Sequence, residues 1–102
     1  MDEKSCGEYG ERALSSDEVK RFMAEVPDWR LKDKAIEREL RFKGFVEAME
    51  FVNRVAALSE AEAHHPDILV SYNRVVLTLS THKVGGLSCK DFLLATKIDR
   101  LS

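Results

Sequence analysis

Residues 68–81, "ILVSYNRVVLTLST", constrain the fold more than any other stretch of the chain. Val75, Leu77 and Leu79 alternate with Val76, Thr78 and Ser80, the two-residue period of a strand that buries one face. "ILVSY" precedes that run, and Asn73-Arg74 between them reads as a tight turn, so the stretch predicts an antiparallel hairpin. A hairpin alone is marginal in water. Further strands and an apolar cover must therefore come from the rest of the chain.

Both are present. "WRLKDKAIERELRF" reads as two more strands around a turn at Asp33-Lys34. In the second strand Ile36, Leu40 and Phe42 share one face and Glu37, Glu39 and Arg41 the other, with Arg38 interrupting the apolar side. Three segments carry helical spacing. The first starts at Ser15, where Ser15 and Glu18 form a capping-box pattern ahead of Val19, Phe22, Met23 and Val26, and Pro27 ends it. The second, "GFVEAMEFVNRVAALSEAEA", has one stripe of Phe45, Met49, Val52 and Ala56 and a neighbouring one of Ala48, Phe51, Val55 and Leu58. Such an arc suits either a deeply buried helix or one that packs on its own sheet and on a partner subunit. The third opens at Ser88 with the pattern repeated as Ser88 and Asp91, and runs through Phe92, Leu93, Ala95, Ile98 and Leu101.

The order is helix, two strands, helix, two strands, helix. Short connections favour antiparallel neighbours, so an α+β fold is expected, a four-stranded antiparallel sheet covered on one face by three helices. At 102 residues the chain suits one domain over residues 15–102, with residues 1–14 expected as a flexible tail.

Composition narrows the functions. The formal charge of −2 lacks the basic stripe of a nucleic-acid binder. No apolar run approaches the length of a membrane span, and the acidic, polar start does not resemble a secretory signal. Cys6 and Cys89 stand alone in the sequence, which suggests neither a disulfide framework nor a thiolate metal site, and a reducing cytoplasm is the default expectation.

The stretch "EAHHPD" then raises the chemical question. Adjacent side chains diverge by about 100° on a helix and about 180° on a strand, so one packed face cannot easily use both His64 and His65. Glu60 lies four residues before His64, on the same face of a continuing helix, where it can orient the imidazole. Pro66 stops the helix, and His82 sits where the last strand gives way to a loop containing Gly85-Gly86. Three readings are open: surface loop histidines, a metal site of His64, His65, His82 and Asp91, and acid–base catalysis by groups that titrate near neutrality. Capping alone accounts for Asp91, and Tyr72 reads as a hairpin aromatic.

"EAEAHHPDILVSYNRVVLTLSTHKVGGLSCKD" resembles the signature of the pterin-4a-carbinolamine dehydratases. That signature is an acidic residue, three residues, His-His-Pro, five residues, an aromatic, nine residues, His, then eight or more residues and Asp. Glu60, His64, His65, Pro66, Tyr72, His82 and Asp91 meet every spacing. The resemblance runs from about Leu14 to the C-terminus. It implies the element order above, assembly as homodimers or homotetramers, and a reaction in tetrahydropterin recycling. A tetrahydropterin that leaves an aromatic amino acid hydroxylase with a hydroxyl on carbon 4a loses it as water, giving quinonoid dihydropterin. No metal or organic cofactor takes part, the pterin being the substrate.

On that resemblance His64 and His82 are expected as the acid–base set and His65 as the residue that holds and polarises the pterin. Pro66, Ser80, Thr81 and Lys83 are expected around the substrate, with Glu60 and Asp91 in support. Ala63 stands where many relatives carry Asp or another polar residue, and Lys83-Val84 differs from the animal enzymes, so substrate preference is open. The family also holds scaffolds, members that partner transcription factors or assist assembly and have lost catalytic histidines. A non-catalytic dimerisation protein is thus the alternative.

Overall fold

The structure, a computed structural model, describes residues 6–102. Helix α1 spans Ser16–Met23, strands β1 and β2 Arg30–Lys32 and Ala35–Arg41, and helix α2 Phe45–Glu62. Strands β3 and β4 follow over Asp67–Ser71 and Arg74–Leu79, then a 3₁₀ turn at His82–Val84 and helix α3 over Cys89–Asp99. The four strands form one antiparallel sheet in the order β1-β2-β4-β3. The expected α+β architecture is therefore present, with β4 at the centre of the sheet.

Alternation decides which sheet face is covered. Ile36, Leu40, Val75, Leu77 and Leu79 are buried, and the register pairs Ile36 with Leu79 and Leu40 with Val75. Phe51 and Val55 of α2 and Phe92, Leu94 and Ile98 of α3 join the same core. Full burial of each such side chain is worth ~1.5–3 kcal/mol. Arg38 keeps the apolar side of β2 because its charge is met: its Nη1 donates to Asp99 Oδ1 at 2.5 Å, and Trp29 Nε1 donates to the same oxygen at 2.8 Å. The capping box at α1 is complete, Ser15 Oγ accepting from the Glu18 amide and Glu18 Oε1 from the Ser15 amide.

Of the two stripes on α2, the core takes Ala48, Phe51 and Val55, together with Ser59, whose hydroxyl returns to the Val55 carbonyl. The other stripe is only partly covered: Met49 and Val52 are half-buried, Val52 against the core, while Phe45 is 50% and neighbouring Val46 66% exposed.

Three expectations change. The β3–β4 turn is Tyr72-Asn73 rather than Asn73-Arg74, since Arg74 already pairs with Ser71. Tyr72 takes the left-handed conformation (φ 53°), and the Asn73 side-chain amide is held by the Phe42 carbonyl. Residues 6–14, expected within the tail, make specific contacts with the domain, while residues 1–5 lie outside the described residues. Tyr9 meets Phe22 edge-on at 5.1 Å, Arg12 grips Glu18 through both guanidinium nitrogens, and the Leu14 amide donates to the Leu87 carbonyl. Finally, Cys6 and Cys89 are not isolated: they form a disulfide with Cα atoms 5.5 Å apart, a span that suits such a bond. The isolated-cysteine argument for a reducing compartment falls with it.

Among the described residues no helix is long and apolar enough to cross a membrane.

Candidate active site

The C-terminal end of α2, the exit of β4 and the N-terminal end of α3 meet at one side of the domain. Helix α2 ends in a Schellman motif: the Ala63 amide donates to the Glu60 carbonyl and the His64 amide to the Ser59 carbonyl. Ala63 supplies the left-handed residue (φ 53°, ψ 38°) that the motif needs. The chain therefore turns off the helix axis one residue before His64, and the expected Glu60–His64 pair does not form. Glu60 Oε2 instead meets His65 Nε2 at 2.5 Å, in an exposed pair.

His64 is directed the other way. Its Nε2 lies 2.6 Å from Asp91 Oδ1, and its side chain is only 13% exposed. Asp91, fully buried on the first turn of α3, accepts through Oδ2 from the Thr81 hydroxyl (2.8 Å) and the Ser88 amide (3.0 Å). Thr81 gives its one proton to Asp91, so at its 2.8 Å contact with Ser88 Oγ it is the acceptor. Asp91 thus both caps its helix and orients an imidazole. With Asp91 as the carboxylate, which only accepts, His64 Nε2 would be the donor in this contact. Nδ1 is then the nitrogen available to give or take one.

β4 and the turn after it supply the opposite wall. Thr81 and Gly86 form an isolated bridge, and Gly85 closes the 3₁₀ turn in the left-handed region (φ 67°), where a residue without Cβ is unstrained. His82, exposed, heads that turn.

A cleft of about 360 Å³ lies between these walls and is lined by Ala63, His64, His65, Ser80, Thr81, His82, Lys83 and Ser88, together with Glu11 and Lys90. This volume falls in the ~300–1,000 Å³ range of small-molecule sites. The three imidazoles therefore line one cavity despite the divergence of His64 and His65. Pro66, Tyr72, Glu60 and Asp91 are outside the lining. Glu60 acts on the cleft through His65, Asp91 through His64, Thr81 and Ser88, and Tyr72 is an exposed hairpin residue. Among the described residues no group of three or more His, Cys, Asp or Glu side chains is arranged to hold a metal ion.

Three lining residues escaped the sequence reading. Ser88 was legible only as a helix cap. Lys90 carries no spacing signal, and Glu11 lies in a segment without periodicity. Glu11 Oε1 accepts from Lys90 Nζ at 2.7 Å and its Oε2 lies 3.9 Å from Lys83 Nζ. Those contacts, Lys90 first, hold the Glu11 carboxyl below the ordinary value of 4.5.

Comparison with known proteins gives a consistent picture. The family described as "Pterin 4 alpha carbinolamine dehydratase" matches residues 12–101, so Glu11 falls just outside it. A protein of Alkaliphilus metalliredigens named "Putative pterin-4-alpha-carbinolamine dehydratase" is 44% identical over 102 residues, covering 96% of this chain and 92% of its own. A Chloroflexus aurantiacus protein of the same name is 49% identical over 88 residues, covering 86% and 95%. Among solved structures, the transcriptional coactivator/pterin dehydratase from Brucella melitensis superposes with a TM-score of 0.84 at 32% identity, covering 88% of this chain and 98% of that one. A pterin dehydratase-like RuBisCO assembly factor of the alpha-carboxysome shares the fold at a TM-score of 0.59 and 24% identity, covering 72% and 84%.

Proposed function

This chain belongs to the pterin 4 alpha carbinolamine dehydratase family, and from that premise we propose that it dehydrates 4a-hydroxytetrahydropterin by histidine acid–base catalysis. The bond between carbon 4a and its hydroxyl oxygen breaks, the proton on nitrogen 5 leaves, and a double bond forms between the two ring atoms. Water and quinonoid dihydropterin are the products. Hydroxide is a poor leaving group, so an acid must protonate the departing oxygen while a base accepts the nitrogen proton. Each transfer is worth about 10²–10⁴-fold when a side chain is positioned for it. Proton transfer suffices, and the pterin is substrate rather than cofactor.

The observation that carries this reading is the His64–Asp91 contact at the wall of a cleft that also contains His82. A buried carboxylate with both oxygens engaged fixes the ring and leaves Nδ1 as its working nitrogen. His82, exposed on the facing turn, serves as the second proton-transfer group, and His65 holds the pterin. Ser80, Thr81 and Lys83 contact its polar edge, and Pro66 sets the path of the chain out of the site. An aromatic amino acid hydroxylase, which releases the carbinolamine, is the functional partner, and the reaction is a step of tetrahydropterin recycling. The exposed Phe45–Val46 end of α2 supports assembly as a homodimer or homotetramer.

That same surface favours a second reading, a non-catalytic scaffold on this fold. The dehydration assay separates the two. Carbinolamine is generated in place by a phenylalanine hydroxylase, and its decay is followed by absorbance with wild type, His64→Ala and His82→Ala. Acceleration that both substitutions abolish supports the enzyme. A folded wild type that leaves the spontaneous rate unchanged favours the scaffold.

A further inference from the structure

The reading above leaves open which reduced pterin the cleft prefers, and the N-terminal arm bears on that choice. Pterins differ chiefly in the substituent on carbon 6, which is bonded to nitrogen 5. A tail on carbon 6 therefore leaves the ring beside the reacting atoms, within reach of the charged groups of the cleft lining. Those groups are two ammonium ions and one carboxylate: Lys83, Lys90 and Glu11. Lys83 and Lys90 sit on the turn after β4 and on α3, parts of the domain proper. Glu11 arrives from outside it, on a segment anchored by the Cys6–Cys89 disulfide before it and the Arg12–Glu18 pair after it. Nothing in the core requires an acidic side chain at this position, since Glu11 is mostly exposed and makes its contacts with these two lysines.

We propose that Glu11 is a specificity-determining residue of the pterin site, selecting substrates with a neutral, hydroxylated tail on carbon 6 against those with an anionic tail. It acts in two ways. Paired with Lys90 at 2.7 Å and close to Lys83, it cancels part of the positive field that would otherwise draw a carboxylate or phosphate into the cleft. Its remaining lone pairs accept hydrogen bonds from tail hydroxyls, which an anionic group cannot donate. Selection is thus a difference between attraction to one tail and repulsion of the other.

The proposal rests on the site being a pterin site, and the test keeps the two apart. Two probes with the same ring and carbon skeleton are 7,8-dihydroneopterin and its triphosphate, which carries an anionic chain in place of the terminal tail hydroxyl. Their dissociation constants would be measured by calorimetry for wild type, Glu11→Gln and Glu11→Lys, alongside dehydration by each protein. Glu11 is exposed, so both variants keep the fold. The ratio of affinities is expected to move toward the triphosphate by roughly fivefold in Glu11→Gln and further in Glu11→Lys, with the shift shrinking at 0.5 M salt as screening grows. A ratio that stays within twofold in both variants, from a protein that dehydrates carbinolamine, would overturn the role of Glu11 and leave the activity standing. The expected shift in a protein without dehydration would uphold Glu11 and sink the enzyme reading. Binding of neither probe by wild type would overturn the role of Glu11, and absence of dehydration in the same protein would overturn the enzyme reading as well.

Discussion

His64 Nε2 lies 2.6 Å from Asp91 Oδ1, and the carboxylate at the far end of that contact is the one that closes the first turn of another helix. Asp91→Asn keeps the size of the side chain but cannot accept equally through both atoms. It is expected to lower kcat by about 10²-fold with a smaller change in KM, since it releases the ring rather than the substrate. Nitrogen-15 shifts should show His64 protonated at Nε2 in wild type and a mixture of tautomers in Asp91→Asn. Wild-type kcat in that variant would remove Asp91 from the chemistry. Asp91→Ala should also lose about 1–3 kcal/mol of stability, because Thr81 and the Ser88 amide lose a buried partner.

The other two histidines should separate in steady-state kinetics. His82→Ala is expected to lose about 10²–10⁴-fold in kcat, as a proton-transfer group would. His65→Ala should mainly raise KM, because its pair with exposed Glu60 leaves it placed for holding the ring. Equal kcat losses in the two variants would mean that the assignment of His65 is wrong.

Ala63 carries a left-handed conformation that a residue with Cβ adopts at a cost. Ala63→Gly should relieve it and stabilise the fold by about 0.5–1 kcal/mol, read from the urea midpoint at unchanged slope. Destabilisation would show that the Ala63 methyl group contributes more by packing than it costs in backbone strain.

The Cys6–Cys89 disulfide joins residues 83 apart. Loss of such a cross-link typically costs ~2–4 kcal/mol, chiefly by restoring freedom to the unfolded chain. Cys6→Ser should fall by that amount under oxidising conditions, and wild type in dithiothreitol should fall to meet it. Identical curves with and without reductant would argue against the bond in solution.

Glu18 provides a pH signature. Its side-chain bonds with Arg12, then its bond with the Ser15 amide, lower its carboxyl from 4.5 to about 2. A depressed folded value stabilises the fold above the unfolded value and is lost as pH falls. The advantage of wild type over Glu18→Gln should therefore be full near neutrality and should fade between about pH 4.5 and 2. Urea titrations across that window measure it, and a pH-independent difference would contradict the assignment.

Local rules made most of the fold readable. The alternation of β4, the two capping patterns and the apolar spacing of α2 each involve residues within a few positions of one another, and each is where it was expected. Rules that assume an element continues did less well. Pairing Glu60 with His64 supposes that α2 runs through His64, but Ala63 leaves the helix first and the partner becomes His65. The place of Asn73-Arg74 between two strand-like runs suggested it as the turn, yet Tyr72 takes the left-handed conformation while Asn73 is tied to the Phe42 carbonyl. The arm was unreadable for a different reason. Cys6 and Glu11 find their partners about 80 positions away, and no periodicity marks a segment that is held by a few anchors rather than by a packed face.

The double duty of Asp91 has a practical corollary. Because one carboxylate both starts α3 and orients His64, fraying of that helix turn and loss of the oriented imidazole are a single event. Heating or denaturant that loosens the first turn of α3 is therefore expected to free His64 from its partner, so the nitrogen-15 signal of that ring reports the integrity of a few backbone bonds that bulk spectroscopy averages away.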